Sequence, residues 1–262
     1  MRLLPQGVGL THHDLSVTDR AAVEREWLQH RPQVVFNCAA FNAVDRAESE
    51  AGIAHEVNST GAAIAAAACR RHGARLVHFS TNFVFDGSLG RPYVETDAAR
   101  PLGVYGKSKL DGEKAVLSAF PEALVIRTAA LFGDRGAAVK GGSFPERIVE
   151  RARRRERLRV VSDQRVNPTY TRDLAPAAIK LAVSQMSGLV HLVGGGCCAW
   201  DEFARATLTE CGIDAEVEAV TSEELAAAAP RPLNGCLGSA RTAQLRPWKE
   251  GLADWAANLA TT

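Results

Sequence analysis

The sequence predicts an α/β fold, a doubly wound parallel sheet with a smaller C-terminal lobe. Three observations lead there. Short apolar runs alternate with stretches whose apolar residues recur at helical spacing, the pattern of strands joined by crossover helices. The 262 residues, 46% hydrophobic and 23% charged, suit one large domain or one with an appended lobe. A strand-like run closing in Ser80-Thr81 is followed by Tyr105 and Lys109, which share a helix face because they are four residues apart.

In chain order, Val23, Trp27 and Leu28 mark a helix from Ala21 to His30, and Gln33 to Cys38 is a short apolar strand. His55 to His72 is alanine-rich and helical, with Gly73 placed to stop it. The strand Arg75 to Ser80 follows, then a helix starting near Tyr105, then the strand Ala123 to Arg127. Beyond Gly133 the pattern predicts helices over Phe144 to Arg155, Arg172 to Ser184 and Trp200 to Cys211, with strands over Leu158 to Val161 and Gly188 to Val193. Residues 1–142 form the expected dinucleotide-binding domain, 172–194 return to it, and 143–262 mainly build the lobe. A ligand crevice is expected at the carboxyl ends of the strands, where Asn37, Ala39, Ala40, Thr81, Thr128 and Ala129 fall.

Composition narrows the partners. A formal charge of +1 gives no global attraction to nucleic acid, and no 18-residue apolar run or cleavable leader points to a membrane or export, so a cytoplasmic protein is expected. The six cysteines at 38, 69, 197, 198, 211 and 236 lack Cys-x-x-Cys spacing, and adjacent Cys197-Cys198 suits a disulfide poorly, so free or buried thiols and no metal site are expected.

Tyr105, Lys109 and Thr81 carry chemistry. A phenol with a pKa of about 10 is a poor acid-base group at neutral pH unless a nearby cation favours its phenolate, and Lys109 supplies one. Thr81, at a strand end, is placed to hold a substrate carbonyl, so the trio reads as a ketone reductase.

Four ordered blocks then resemble one family: Asn37 to Glu48, Phe79 to Gly87, Pro101 to Lys109, and Val161 to Thr169, with Arg231-Pro232 further on. The chain resembles the extended short-chain dehydrogenase/reductases, and within them the dTDP-4-dehydrorhamnose reductases, whose Rossmann-like fold it implies. The resemblance implies reduction of the 4-keto group of a nucleotide-linked 6-deoxysugar by NADPH or NADH, with Thr81, Tyr105 and Lys109 catalytic. Asp14, Asn37, Ala39, Ala40, Tyr105, Lys109 and Thr128 would contact the cofactor. Asn82, Phe83, Ala130, Gln164, Arg165 and Arg231 would meet the nucleotide sugar. Two departures fall on the sugar. Asn82-Phe83 stands where the family has Asp-Tyr, removing a carboxylate and a phenol, and Ala129-Ala130 replaces Ser-Trp, removing a bulky wall.

The family's Gly-x-x-Gly-x-x-Gly turn is missing from the sequence. Met1 to Gly7 reads as the end of the first helix and Val8 to Thr11 as the second strand, so about twenty to thirty upstream residues are expected. In the order 3-2-1-4-5-6 the lost strand is central, and its loss would leave two neighbouring strands unpaired. If the short chain is the whole protein, it is expected to be a non-catalytic binding subunit, similar to the regulatory β subunit of methionine adenosyltransferase, or a homo-oligomer that pairs its exposed strands. Thr11-His12-His13, in place of an acidic residue, tilts the cofactor expectation to NADPH.

Other features have plain readings. The run Arg151 to Arg157 complements a helix carboxyl end, Asp45 and Glu48 open a helix, and His78 and His191 are packed strand residues.

Overall fold

The computed structural model describes residues 3–4, 6–133 and 142–259. Helix α1 (Arg20–His30) starts on Asp19, whose carboxylate accepts from the Ala22 amide at 3.0 Å. Strand β1 (Val34–Asn37) leads into α2 (Val44–Ser49), α3 (Ala51–His55), a π-helical turn (Glu56–Gly61) and α4 (Ala62–His72), which Gly73 ends at φ 69°. Next come β2 (Arg75–Thr81), a 3₁₀ turn (Asn82–Val84), α5 (Val104–Ala119), β3 (Leu124–Thr128) and β4 (Leu131–Phe132).

The second half holds α6 (Phe144–Arg153), β5 (Leu158–Val161), β6 (Arg165–Val166), β7 (Thr169–Tyr170), α7 (Thr171–Val183) and β8 (Gly188–His191). It closes with β9 (Cys198–Ala199), α8 (Trp200–Glu210), β10 (Val217–Val220), α9 (Ser222–Leu225) and α10 (Trp248–Leu259).

The main sheet runs β1-β2-β3-β8, parallel throughout. Alternation along the strands feeds two apolar layers. Leu76 and Val125 pack with Val23 and Trp27 of α1, Ile64 and Cys69 of α4 and Val116 of α5. Val77, Leu124, Ile126 and Val190 pack on Leu174, Ala178 and Ala182 of α7. The remaining core lies beside this sheet. Phe132, Phe203, Trp248 and Trp255 form one cluster, and Ile148, Leu158, Leu208 and Val217 another under the parallel pair β5-β10.

Several expectations are corrected. Val8 to Thr11 is not a strand but an exposed stretch, because among the described residues no strand pairs with it. Leu3 and Leu4 form a bend rather than a helix end. Among the described residues the sheet therefore ends at β1 on one side and at β8 on the other, with β2 paired on both sides, instead of carrying a gap between two strands. Strand β10 and helix α10 were not resolved by sequence pattern.

The helical stretch before β2 is reshaped at Asn58, whose buried side chain ties three elements together. Its Oδ1 accepts from the Phe41 amide at 2.8 Å, and its Nδ2 donates to the Phe41 carbonyl at 3.0 Å and to Ser108 Oγ at 2.9 Å. Helix α5 comes this close because residue 112 is glycine: a Cβ there would lie 2.1 Å from the Asn58 carbonyl oxygen. Gly112→Ala is therefore expected to destabilise by about 1–3 kcal/mol, lowering Tm by several degrees in differential scanning calorimetry. An unchanged Tm would show that the α5 contact yields freely.

Candidate active site

The site begins where β2 ends. Thr81 is extended, and its Oγ1 accepts from the Phe83 amide at 3.2 Å, capping the 3₁₀ turn. That turn faces the first turn of α5, where Gly106 allows contact: a Cβ at 106 would sit 2.2 Å from the Phe83 carbonyl oxygen. Glu48 Oε1 accepts from the Val104 amide at 2.8 Å, satisfying one of the open donors at the start of α5. This anchoring brings the Tyr105 phenol to the Thr81 side chain and sets its ring edge-on to Phe83, with centroids 5.5 Å apart.

One turn along α5, Lys109 is 2% exposed and donates from Nζ to the Phe79 carbonyl at 2.7 Å. Thr81, Tyr105 and Lys109 thus converge. Burial pulls the Lys109 ammonium down to about 8, opposed by Glu113 and then by Cys38. Burial also raises the Tyr105 phenol above its ordinary value, and the Thr81 side chain acts against that rise.

The other crevice residues lie nearby with varied duties. Asn37 spends its amide on His78 Nδ1 (3.1 Å) and the Ala39 amide (3.1 Å), which fixes the end of β1. Ala39 is exposed and Ala40 half-buried, so backbone is accessible there. Thr128, opposite Thr81 in register, buries an Oγ1 that has no hydrogen-bond partner. A polar group of a bound dinucleotide would satisfy it, so this end of the crevice fits a nicotinamide cofactor. Asp14 instead closes a surface turn, accepting from the Thr11 amide and hydroxyl at 2.8 and 2.7 Å. Among the described residues no glycine-rich turn opening a helix precedes β1.

A cavity of about 350 Å³ adjoins the trio. Asn82 and Phe83 line it, together with Gln164, Arg231, Phe144, Trp200 and the arginines 147, 151 and 159. Gln164 is held by Ser222 Oγ at 2.8 Å and Arg231 by Asp45 at 2.8 and 3.0 Å. Asn82 donates to the Gly235 carbonyl at 3.0 Å, so its amide fastens the 230s loop rather than facing the cavity unspent. Arg165 and Ala130 lie outside this lining. The Arg165 guanidinium reaches the Cys197 carbonyl at 3.3 Å, and Ala130 takes a left-handed turn at φ 42°.

Sequence reasoning gave the run Arg151 to Arg157 first to a helix end, with phosphate binding as its second reading, and did not single out Arg147 or Arg159. The available signal was the four-residue spacing of Arg147 and Arg151 on one face of α6. Burial, and next the charge of Arg151, lowers Arg147, and the Glu146 carboxylate acts against that fall. The cysteine expectation also fails at one pair. Cys197 and Cys236 form a disulfide that brings the glycine loop before β9 to the 230s loop, while Cys38, Cys69, Cys198 and Cys211 are free.

A parallel sheet with a buried lysine and a phenol at its carboxyl edge defines a Rossmann-like α/β protein. The chain belongs to the RmlD substrate binding domain family, which it matches over residues 4–261. A dTDP-4-dehydrorhamnose reductase of Mycobacterium tuberculosis is 42% identical over 257 residues, covering 94% of this chain and 83% of the relative. The spore coat polysaccharide biosynthesis protein SpsK of Bacillus subtilis is 37% identical, covering 95% and 87%. Among solved structures, the dTDP-4-dehydrorhamnose reductase of Bacillus anthracis in complex with NADP superposes with a TM-score of 0.90 at 31% identity, covering 95% of this chain and 89% of that one.

Burying the Lys109 ammonium has a predictable price. Its folded-state value of about 8 lies below the ordinary 10.4, so the unfolded chain holds this proton more tightly. The penalty is complete below pH 8, fades as pH rises from about 8 to about 10.4, and is gone above that. Lys109→Met is expected to gain about 2–3 kcal/mol in urea unfolding at pH 7, and nothing at pH 10.5. A loss of stability at pH 7 would show that the Phe79 and Glu113 contacts outweigh desolvation.

Proposed function

We propose that this chain reduces the 4-keto group of a nucleotide-linked deoxysugar, taking hydride from NADPH. The carrying observation is the meeting of Thr81, Tyr105 and Lys109 beside Asn82 and Phe83, which line a cavity together with four arginines, Phe144 and Trp200. The names of the Mycobacterium and Bacillus anthracis relatives, and the NADP in the latter structure, support the same reading.

When bound, NADPH supplies the hydride; the residues that would hold it are Tyr105, Lys109, Asn37, Ala39, Ala40 and Thr128, with Asp14 toward the adenine. The chain's own part is proton delivery and charge stabilisation. Thr81 donates a hydrogen bond to the substrate carbonyl oxygen, and as negative charge grows there Tyr105 gives up its phenolic proton. The Lys109 ammonium, mostly charged at neutral pH, lowers the cost of the phenolate left behind.

The cavity accounts for the rest of the substrate. Four guanidinium groups against one lining carboxylate, Asp45, suit a diphosphate, and the tilted pair Phe144 and Trp200, with centroids 4.7 Å apart, suits a nucleobase. Asn82, Phe83 and Gln164 are left for the sugar. Residues 1–142 with 172–194 are assigned to the cofactor and 143–262 to the sugar nucleotide, in a protein of the cytoplasm. No helix among the described residues is long and apolar enough to cross a membrane. None of the relatives named above is described as a regulatory subunit.

Two experiments test this. With NADPH and a dTDP-4-ketosugar, Tyr105→Phe should lose about 10²–10⁴-fold in kcat while calorimetry shows the sugar nucleotide still binding. Full activity in that variant would end Tyr105's assignment as the acid. Arg147→Ala and Arg151→Ala should each raise KM about tenfold or more with kcat nearly kept, since a charge-assisted contact contributes roughly 1.5–3 kcal/mol. A fall in kcat alone would move the diphosphate elsewhere.

A further inference from the structure

Beneath the site lies a buried charge cluster that the mechanism above does not use. Glu113, one turn beyond Lys109 on α5, is 4% exposed, and Arg127 on β3 is 3% exposed. Arg127 Nε and Nη2 donate to the two Glu113 carboxylate oxygens at 2.8 and 2.6 Å, and Ser80 Oγ donates at 2.5 Å. Behind Arg127 stand the Phe85 ring, 4.9 Å from the guanidinium carbon, and His191 Nε2 at 3.5 Å. His191 Nδ1 is held by the carbonyls of Gly238 (2.8 Å) and Tyr93 (3.1 Å), so it donates there and its Nε2 accepts. The carboxylate thus holds Arg127 by direct contact and lies one helical turn from the Lys109 ammonium on α5.

We propose that Glu113 is a positioning residue of the reductase, the counter-charge that keeps Lys109 protonated, and that Arg127 and Ser80 fix its carboxylate in that place. The inference rests on the proposed reduction for its kinetic consequence only.

The groups that bear on Lys109 are few among the described residues. They are Glu113 on α5, Cys38 just past the end of β1 and His78 on β2, with Tyr105 one turn back on the same helix and Arg127 paired to Glu113. Cys38 and Tyr105 are neutral near pH 7, because burial raises both, and burial keeps His78 uncharged. Glu113 is therefore the one anion facing the ammonium. A tie that only joined α5 to β3 would need no lysine beside it. Here the shared carboxylate sits one turn from the ammonium, and Ser80, one of its donors, is the neighbour of Thr81 in the chain. Displacing Glu113 thus disturbs both the charge and the strand end.

The two partners act with opposite sign. Glu113→Gln removes the attraction on Lys109, whereas Arg127→Gln removes a competing cation and leaves the carboxylate to Lys109. Titration of Lys109 is followed by ¹³C NMR of lysine-labelled protein, its signal identified by absence in Lys109→Met. Its midpoint should fall by about one pH unit in Glu113→Gln and rise in Arg127→Gln. The alkaline limb of the kcat profile should move with it in each variant. Midpoints unchanged in folded variants would overturn the proposal, even with Tm reduced. If Glu113→Gln does not fold, the direction of the Arg127→Gln shift decides alone. Shifted midpoints in a wild-type protein without turnover would defeat the reductase reading and leave Glu113 in its role.

Discussion

The Lys109 ammonium lies almost out of water, hydrogen-bonded to the Phe79 carbonyl, and much of the surrounding architecture exists to permit that. A lone buried charge is expensive unless it is hydrogen-bonded and faces an opposite charge. The first need is met by the last turn of β2, the second by Glu113. Both answers require α5 to lie tightly along β2 and against the π-helical turn, which is why glycine occupies positions 106 and 112. The small residues, the amide of Asn58 and the Glu113–Arg127 pair are thus parts of one constraint, the close seating of α5.

That constraint explains which parts of the protein were legible in sequence. Periodicity found β1, β2, β3, β5 and β8, and most of the helices, because their patterns are local. The trio was also legible, because Tyr105 and Lys109 share a helix and Thr81 closes a strand. Asn58 and Glu113 were not. Their partners come from elements 14 to 50 residues away, and a polar residue inside a helical pattern looks like any solvated one until the fold brings Phe41, Ser108 and Arg127 to it. Strand β10 escaped for the same reason, since its pairing with β5 is set by the second core rather than by its own four residues.

The amino-terminal segment shows the reverse error. Val8 to Thr11 has the composition of a strand, yet it lies exposed and unpaired. β-propensity measures fit to a pleated, half-buried surface, and here no such surface meets it. The arginines of the cavity failed differently. A basic run near a helix end has a sound local explanation in the helix dipole, and Arg151 does contact Glu156 and the Arg157 carbonyl. The same helix presents Arg147 and Arg151 to the cavity, a role visible only once Arg159, Arg231, Phe144 and Trp200 are seen around the same space.

The sugar end of the cavity then takes its character from what is already spent. An aspartate in place of Asn82 would set a carboxylate against the Gly235 carbonyl, two acceptors with no proton between them, and would loosen the loop that carries Arg231. Asparagine donates instead, and a side chain on Gly235 would collide with it at 2.4 Å. The same loop is pinned by Arg231 on Asp45 and by the Cys197–Cys236 bond. Of the two Nδ2 protons of Asn82, the one that fastens the wall cannot also read a sugar hydroxyl. Beside Thr81 and Tyr105 the near wall is then the Phe83 ring, which offers shape rather than a carboxylate.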